Sequence, residues 1–192
     1  MKKIKILFAL LLLFLCIKKE SRASQLDFSW NAPKTYVHNE GTGGEVLFIL
    51  WFYNLKNVAE KPILIPIEIF LETDTKEGYR DMFYPEIMER AAALDADYTK
   101  GKKYQHAATV YGELLPQATK NCVAMFEDVD PQAKRLEIFV TGISSFSFWQ
   151  QKMNNYSYKI TYRKEQDHWK LIKHEMSKDS PHHSSGFELG NW

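Results

Sequence analysis

Residues 46–53 read VLFILWFY, and this unbroken run of apolar side chains decides the fold class. A helix that spans a membrane needs about 20 such residues, so the run is too short for one. Its β-branched and aromatic residues favour a strand. A strand without polar positions is buried on both faces, so we predict a central strand here, after a flexible connector at Gly41–Gly44.

Shorter strand-like segments follow on the C-terminal side of this run. Isoleucine and leucine alternate with other residues from Ile63 to Leu71, which is the period of a strand with one wetter face. Pro62 and Pro66 place that strand at an edge or a bulge. Three more segments are bounded by turn residues: Ala107–Tyr111, Val123–Phe126 and Leu136–Val140. Their spacing is typical of an all-β sandwich or barrel.

The clearest hairpin lies near the C-terminus. Tyrosine and isoleucine alternate with polar residues from Tyr156 to Arg163, residues 164–167 offer a turn, and Trp169 begins a returning strand. This alternation predicts two paired antiparallel strands.

One segment has helical periodicity instead. Pro85 suits a first helical position, and Glu86 and Glu89 suit the positive end of a helix dipole. We predict one amphipathic helix from Tyr84 to about Ala96. Its apolar face comprises Ile87, Met88, Ala91, Leu94 and Tyr98.

The N-terminus has the layout of a secretory signal peptide. Residues 1–5 form a short stretch with three lysines, residues 6–17 form an apolar run, and residues 18–23 are polar and end in a small residue. We predict export, with Sec-type cleavage near Ala23 and no permanent membrane span. Three basic side chains before the cut leave open a retained leader or another processing route, of which one is lipid attachment at Cys16.

Charge argues against a nucleic-acid partner. The chain has 25 basic and 24 acidic side chains, and the leader takes six of the former and one of the latter. The remainder therefore has a net charge of −4, which gives no electrostatic footprint for nucleic acid.

Carboxylates are the main candidates for a metal site. Closely spaced oxygens suit Ca²⁺, but the spacing here differs from that of a helix-loop-helix calcium loop. Turn formation is the favoured interpretation, because aspartate readily closes turns and Asp130 precedes Pro131. The two groups are Asp74, Glu77 and Asp81, and Glu127, Asp128 and Asp130.

Other chemical groups lack partners at a recognised spacing. His182 and His183 lie in a polar tail, and His168 and His174 are about 20 Å apart on an extended strand, too far to chelate one ion together. The remaining two histidines are His38 and His106. Ser144, Ser145 and Ser147 have no nucleophile elbow. Cys122 sits in an apolar strand-like run, where a lone cysteine is usually a small buried hydrophobe.

The aromatic C-terminal region allows two interpretations. Its rings, interleaved with basic residues, form either a stacking surface or a core face with solvated lysines opposite, and strict alternation favours the core face. A binding surface would then use the outward Lys159 and Arg163. The aromatic residues are Phe146, Phe148, Trp149, Tyr156, Tyr158, Tyr162 and Trp169; the basic ones are Lys152, Lys159, Arg163, Lys164 and Lys170.

Several short signatures between residues 46 and 145 occur in a specific order. They are Phe52, Tyr53, Asn54, Leu55 and Asn57; Leu71, Thr73, Asp74 and Thr75; Tyr79, Asp81 and Pro85; Gly112, Leu115, Pro116 and Thr119; Val123, Ala124, Phe126, Val129, Asp130 and Pro131; and Phe139, Val140, Gly142 and Ile143. In this order the chain resembles a family of uncharacterised secreted bacterial proteins with an immunoglobulin-like sandwich. The resemblance implies a periplasmic or surface-exposed β-sandwich and brings no catalytic residues with it.

We therefore expect an all-β fold, an immunoglobulin-like antiparallel β-sandwich with one inserted amphipathic helix. It should span residues 24–176, between the leader at 1–23 and a flexible tail at 177–192. The expected function is that of a non-catalytic interaction module of the cell envelope, periplasmic or at the cell surface, which binds protein or polysaccharide and needs no cofactor or metal. The alternative is an exported hydrolase or metal-dependent enzyme, assembled from Asp74, Asp81, Asp128, Asp130 and the histidines.

Overall fold

In the computed structural model, the described residues are 26–39, 44–64, 67–94, 103–106, 112–141 and 157–177. The strands are β1 (Leu26–Trp30), β2 (Lys34–Asn39), β3 (Glu45–Asn57), β4 (Ile63–Leu64), β5 (Glu68–Thr73), β6 (Gly78–Arg80), β7 (Tyr104–His106), β8 (Glu113–Leu114), β9 (Thr119–Phe126), β10 (Arg135–Thr141), β11 (Ser157–Glu165) and β12 (His168–Ser177). Within these ranges the one helix is α1 (Pro85–Leu94), between β6 and β7.

The strands form two five-stranded sheets and a two-stranded pair. In the first sheet, β1 and β2 both pair with β3, and β9 and β7 follow on its other side. The second sheet has the order β12-β11-β10-β5-β6, and β4 pairs with β8. The prediction of an all-β sandwich with one inserted helix is confirmed.

The chain crosses from the first sheet to the second in the same way twice. After β3 in the first sheet, the chain next enters the second sheet at β5; after β9 in the first sheet, it enters the second sheet at β10. β3 and β9 are neighbours in the first sheet, and β5 and β10 are neighbours in the second. One feature departs from the predicted antiparallel sandwich: β7 runs parallel to β9.

The apolar run at 46–53 lies at the centre of β3, as predicted. Ile49, Trp51 and Tyr53 face the second sheet, and Phe48 and Phe52 face the opposite way; all five are at most 2% exposed. Both faces of this strand are therefore buried, which explains why it has no polar position at its centre.

Helix α1 covers the outer face of the first sheet. Ile87 and Ala91 are buried against an apolar group from β3 and β9, and Met88 packs against the same group. The helix begins at Pro85. Met88 N donates a hydrogen bond to the Tyr84 carbonyl oxygen (2.9 Å), which closes the first turn. The predicted helix is confirmed from Pro85 to Leu94, whereas its predicted end near Ala96 and Tyr98 lies outside the described residues. Leu94 is exposed instead of forming part of the apolar face.

The prediction of a single strand from Ile63 to Leu71 is wrong. Its first residues form β4, which pairs with β8, whereas β5 begins at Glu68 and lies inside the second sheet. Pro62 and Pro66 lack the N–H that a continuous ladder requires, so a division at this point is the physical outcome.

The C-terminal hairpin is confirmed as β11 and β12, with its turn at Gln166–Asp167. A bulge at Ile172 places His168 opposite Glu165 and His174 opposite Ile160, so the two histidines lie on opposite faces. β12 includes Ser177, one residue into the predicted tail.

Several predictions fall outside the described residues. They concern the leader at 1–23 with Cys16, the connector at 41–43, the strand at 107–111, the tail from 178 onward with His182 and His183, the serines at 144, 145 and 147, the aromatic residues at 146, 148, 149 and 156, and Lys152.

Candidate functional site

The outer face of the second sheet carries both predicted binding residues. In β11, Tyr158, Ile160 and Tyr162 face the first sheet, so Lys159 and Arg163 lie on the opposite, outer face. Tyr162 and Trp169 are buried in the core, which agrees with the favoured interpretation of the aromatic alternation.

Lys159 is held within this face instead of projecting from it. Its Nζ lies 2.8 Å from Glu137 Oε2 and 5.2 Å from the centre of the Phe139 ring. The Lys159 side chain is only 15% exposed and that of Glu137 16%. A lysine so placed stabilises the pairing of β10 with β11, and little of it is available to a partner.

Arg163 belongs to a row of three basic residues that crosses three strands. Arg135 on β10 is its register partner on one side, and Lys170 on β12 is its partner on the other. Adjacent strands are about 4.8 Å apart, so the row is roughly 10 Å long. All three residues are exposed. We call Arg135, Arg163 and Lys170 the basic row.

The three cations of the basic row differ in whether a nearby carboxylate balances their charge. Arg135 Nε lies 3.7 Å from Glu137 Oε1, and Lys170 Nζ lies 3.0 Å from Glu165 Oε2. Arg163 has no ion pair or hydrogen bond through its side chain with any described residue. Like charges directly opposite each other are unfavourable in a sheet, so the row is a place where an added anion would relieve repulsion.

Asp74 fixes the start of β10, where the row begins. Its Oδ1 accepts hydrogen bonds from the backbone N–H groups of Lys134 (2.9 Å) and Arg135 (3.2 Å). Partial desolvation opposes ionisation, but these hydrogen bonds and the Arg135 charge hold the pKa of Asp74 below its ordinary value. Asp74 thus lies in a turn, as predicted, and also ties that turn to the neighbouring strand.

The other acidic candidates are dispersed. Asp130 Oδ1 accepts a hydrogen bond from Gln132 N (2.8 Å), as a turn aspartate does, and Glu77 accepts one from the Tyr79 hydroxyl. Asp128 adopts a positive φ of 53° in the same connection as Asp130. Within the described ranges, no three His, Cys, Asp or Glu side chains lie close enough together to hold a metal ion.

Asp81 and His106 form a buried pair that the sequence did not reveal. Asp81 Oδ1 lies 2.7 Å from His106 Nε2 and accepts a hydrogen bond from Met125 N (2.8 Å). Their side chains are 7% and 3% exposed. Burial raises the pKa of Asp81, although its hydrogen bonds act in the opposite direction. Asp81 thus joins β7 and β9 to the segment that precedes α1.

Cys122 is fully buried, as predicted. Desolvation raises the pKa of its thiol to about 12, so the thiolate that a nucleophile requires is scarce near neutral pH.

No protein-family model, curated protein or solved structure matches the chain at a significant level. Among the described residues, no helix is long and apolar enough to cross a membrane.

Proposed function

We propose that this protein is a non-catalytic interaction module of the cell envelope, which uses the basic row to bind acidic groups on an envelope protein or polysaccharide. The observation that supports this most directly is Arg163, an exposed cation between two other cations and without an acidic partner in the described part of the chain.

The chemistry of the row favours oxyanions. A guanidinium group presents parallel N–H donors that match a carboxylate, phosphate or sulfate, and Lys170 adds a more flexible charge beside it. A row about 10 Å long suits two or three acidic groups in succession, as in an acidic polysaccharide or a run of acidic side chains. Export, as predicted from residues 1–23, would bring the row into contact with such envelope polymers.

The test compares binding to charged and uncharged polymers. The purified protein should bind polygalacturonate or polyglutamate, and should not bind uncharged dextran. Arg163→Ala combined with Lys170→Ala should weaken binding about tenfold or more, because charge-assisted hydrogen bonds are lost. Isothermal titration calorimetry at low salt measures this change.

The matched control removes two cations elsewhere. Lys56 and Lys61 are exposed residues near the end of β3, so Lys56→Ala with Lys61→Ala changes net charge equally. This control should bind like the unmodified protein. Equal weakening by both double variants would mean that net charge alone drives binding, and the proposed site would be wrong. If the protein binds neither polygalacturonate nor polyglutamate, the acidic-partner proposal is rejected.

A further inference from the structure

β12 is an edge strand with an unusual degree of exposure. It is ten residues long, and within the described part of the chain no strand pairs with its outer edge. Leu171, Ile172 and Met176 are each more than 40% exposed. An edge strand presents unpaired backbone groups, so it is a template for another strand.

The sequence of β12 is complementary to itself in one register. In a two-fold antiparallel pairing centred on His174, Lys173 lies opposite Glu175 of the second copy, and Glu175 lies opposite its Lys173. Opposite-charge cross-strand pairs stabilise a sheet. Ile172, at the bulge, lies outside this regular pairing.

Neighbouring registers are disfavoured by charge. In a two-fold pairing, opposite residues must come from the same face of the two sheets. The alternative registers therefore differ from this one by steps of two residues. A slide of two in one direction sets Lys173 opposite Lys173, and in the other direction Glu175 opposite Glu175. Within Lys173–Ser177, the regular part of β12 beyond the bulge at Ile172, the pairing centred on His174 is the only such register that places an acid opposite a base.

Within one chain, Lys173 Nζ and Glu175 Oε1 already lie 2.6 Å apart, with both side chains about half exposed. Two-fold pairing would place two such pairs side by side with alternating signs. Four charges arranged in this way form a network, which stabilises more than an isolated surface pair.

We propose that two copies of this chain associate through β12, in an antiparallel two-fold pairing centred on His174, which joins their second sheets into one continuous sheet. The occupant of the open edge is a second copy because the complementarity lies within a single strand. The proposal is independent of the function proposed for the basic row.

The first test is a charge exchange at the predicted contacts. Sedimentation velocity over micromolar to submillimolar concentrations should show a monomer–dimer equilibrium. Lys173→Glu alone and Glu175→Lys alone should each raise the dimer dissociation constant about tenfold, because each creates two like-charged pairs. The double variant Lys173→Glu with Glu175→Lys should restore dimerisation, because the register is again complementary.

The second test fixes the register by a disulfide, with Cys16 replaced by serine in every variant. His174→Cys should form a disulfide-linked dimer under mild oxidation, because residues directly opposite on antiparallel strands are within reach of a disulfide. Lys170→Cys is the control, since the two copies of residue 170 are about 27 Å apart in this register. A chain that stays monomeric, a dimer insensitive to both single charge variants, or equal cross-linking at 170 and 174 would overturn the proposal.

Discussion

The first sheet covers its outer face with a helix, whereas the second sheet presents charged side chains on its outer face. The covered face consists of Phe48, Leu50, Phe52, Val123 and Met125, beneath Ile87 and Ala91 of α1. The charged face includes Arg135, Glu137, Lys159, Arg163 and Lys170. Both faces belong to the same sandwich, so the contrast separates a surface that stabilises the fold from the surface on which the proposed binding residues lie.

The largest effect should come from a charge placed under the helix. Ile87 is fully buried on the covered face, so Ile87→Asp should destabilise the protein by more than about 4 kcal/mol or prevent folding. Leu94→Asp on the same helix is the control, and should cost less than about 0.5 kcal/mol because Leu94 is already exposed. Urea denaturation followed by tryptophan fluorescence gives both values. Similar losses would mean that the covered face depends little on α1.

The next largest effect should come from the buried pair beside the covered face. Asp81→Ala leaves His106 Nε2 and Met125 N without this acceptor, which should cost about 3 kcal/mol. Asp81→Asn keeps an acceptor oxygen and should cost less. An equal loss in both variants would show that the carboxylate charge, and not hydrogen bonding, is what the native state requires.

The same pair predicts a pH dependence. Burial raises the pKa of Asp81 above the value of about 3.9 expected in the unfolded chain, so the native state holds this proton more tightly. The resulting contribution to stability is fully present below about pH 3.9 and is lost as pH rises through the raised pKa. The stability difference between the unmodified protein and Asp81→Asn should therefore shrink as pH rises from about 4. A difference that grows with pH would contradict the raised pKa.

A smaller effect should follow at the edge of the charged face. Asp74→Ala removes two hydrogen bonds to the start of β10 and should cost about 1 kcal/mol, the size of exposed hydrogen bonds. Asp74→Asn retains an acceptor and should recover part of this loss. Thermal unfolding by circular dichroism resolves the difference. If Asp74→Ala has no effect, Asp74 does not position Arg135.

The smallest effect on stability should come from the basic row itself. Arg163→Ala should change the free energy of unfolding by less than about 0.5 kcal/mol in either direction, because it removes repulsion and no ion pair with a described residue. Lys159→Ala should cost more, because it leaves Glu137 without its 2.8 Å partner. Urea denaturation of the two variants side by side makes the comparison. If Arg163→Ala is the more costly change, Arg163 belongs to the structural part of this face.

The two faces also differ in how far the sequence predicts them. The run at 46–53 predicts a strand buried on both sides, because its eight successive apolar residues include the β-branched and aromatic types that favour strands, and Pro85 with Ile87 and Ala91 predicts the helix. These signals are local. The basic row is not local, because Arg135, Arg163 and Lys170 become neighbours only through the registers of three strands.

Lys159 and Asp81 show the same limit, because the partner of each lies on a distant strand. Alternation in β11 places Lys159 and Arg163 on one face but does not show that Glu137 holds Lys159. Likewise, Asp81 and His106 are 25 positions apart, and no spacing rule connects them. Pairing across distant strands requires a register, and hydrophobic periodicity alone does not supply one.

Hydrogen–deuterium exchange of the full chain, with and without polygalacturonate, compares the two faces most directly. Binding at the basic row predicts slower exchange in β10, β11 and β12 around Arg135, Arg163 and Lys170, with no change in α1. It also predicts that Arg163→Ala with Lys170→Ala removes this protection. Protection confined to α1, or protection of β10–β12 that persists in the double variant, would contradict the assignment of the charged face as the binding surface.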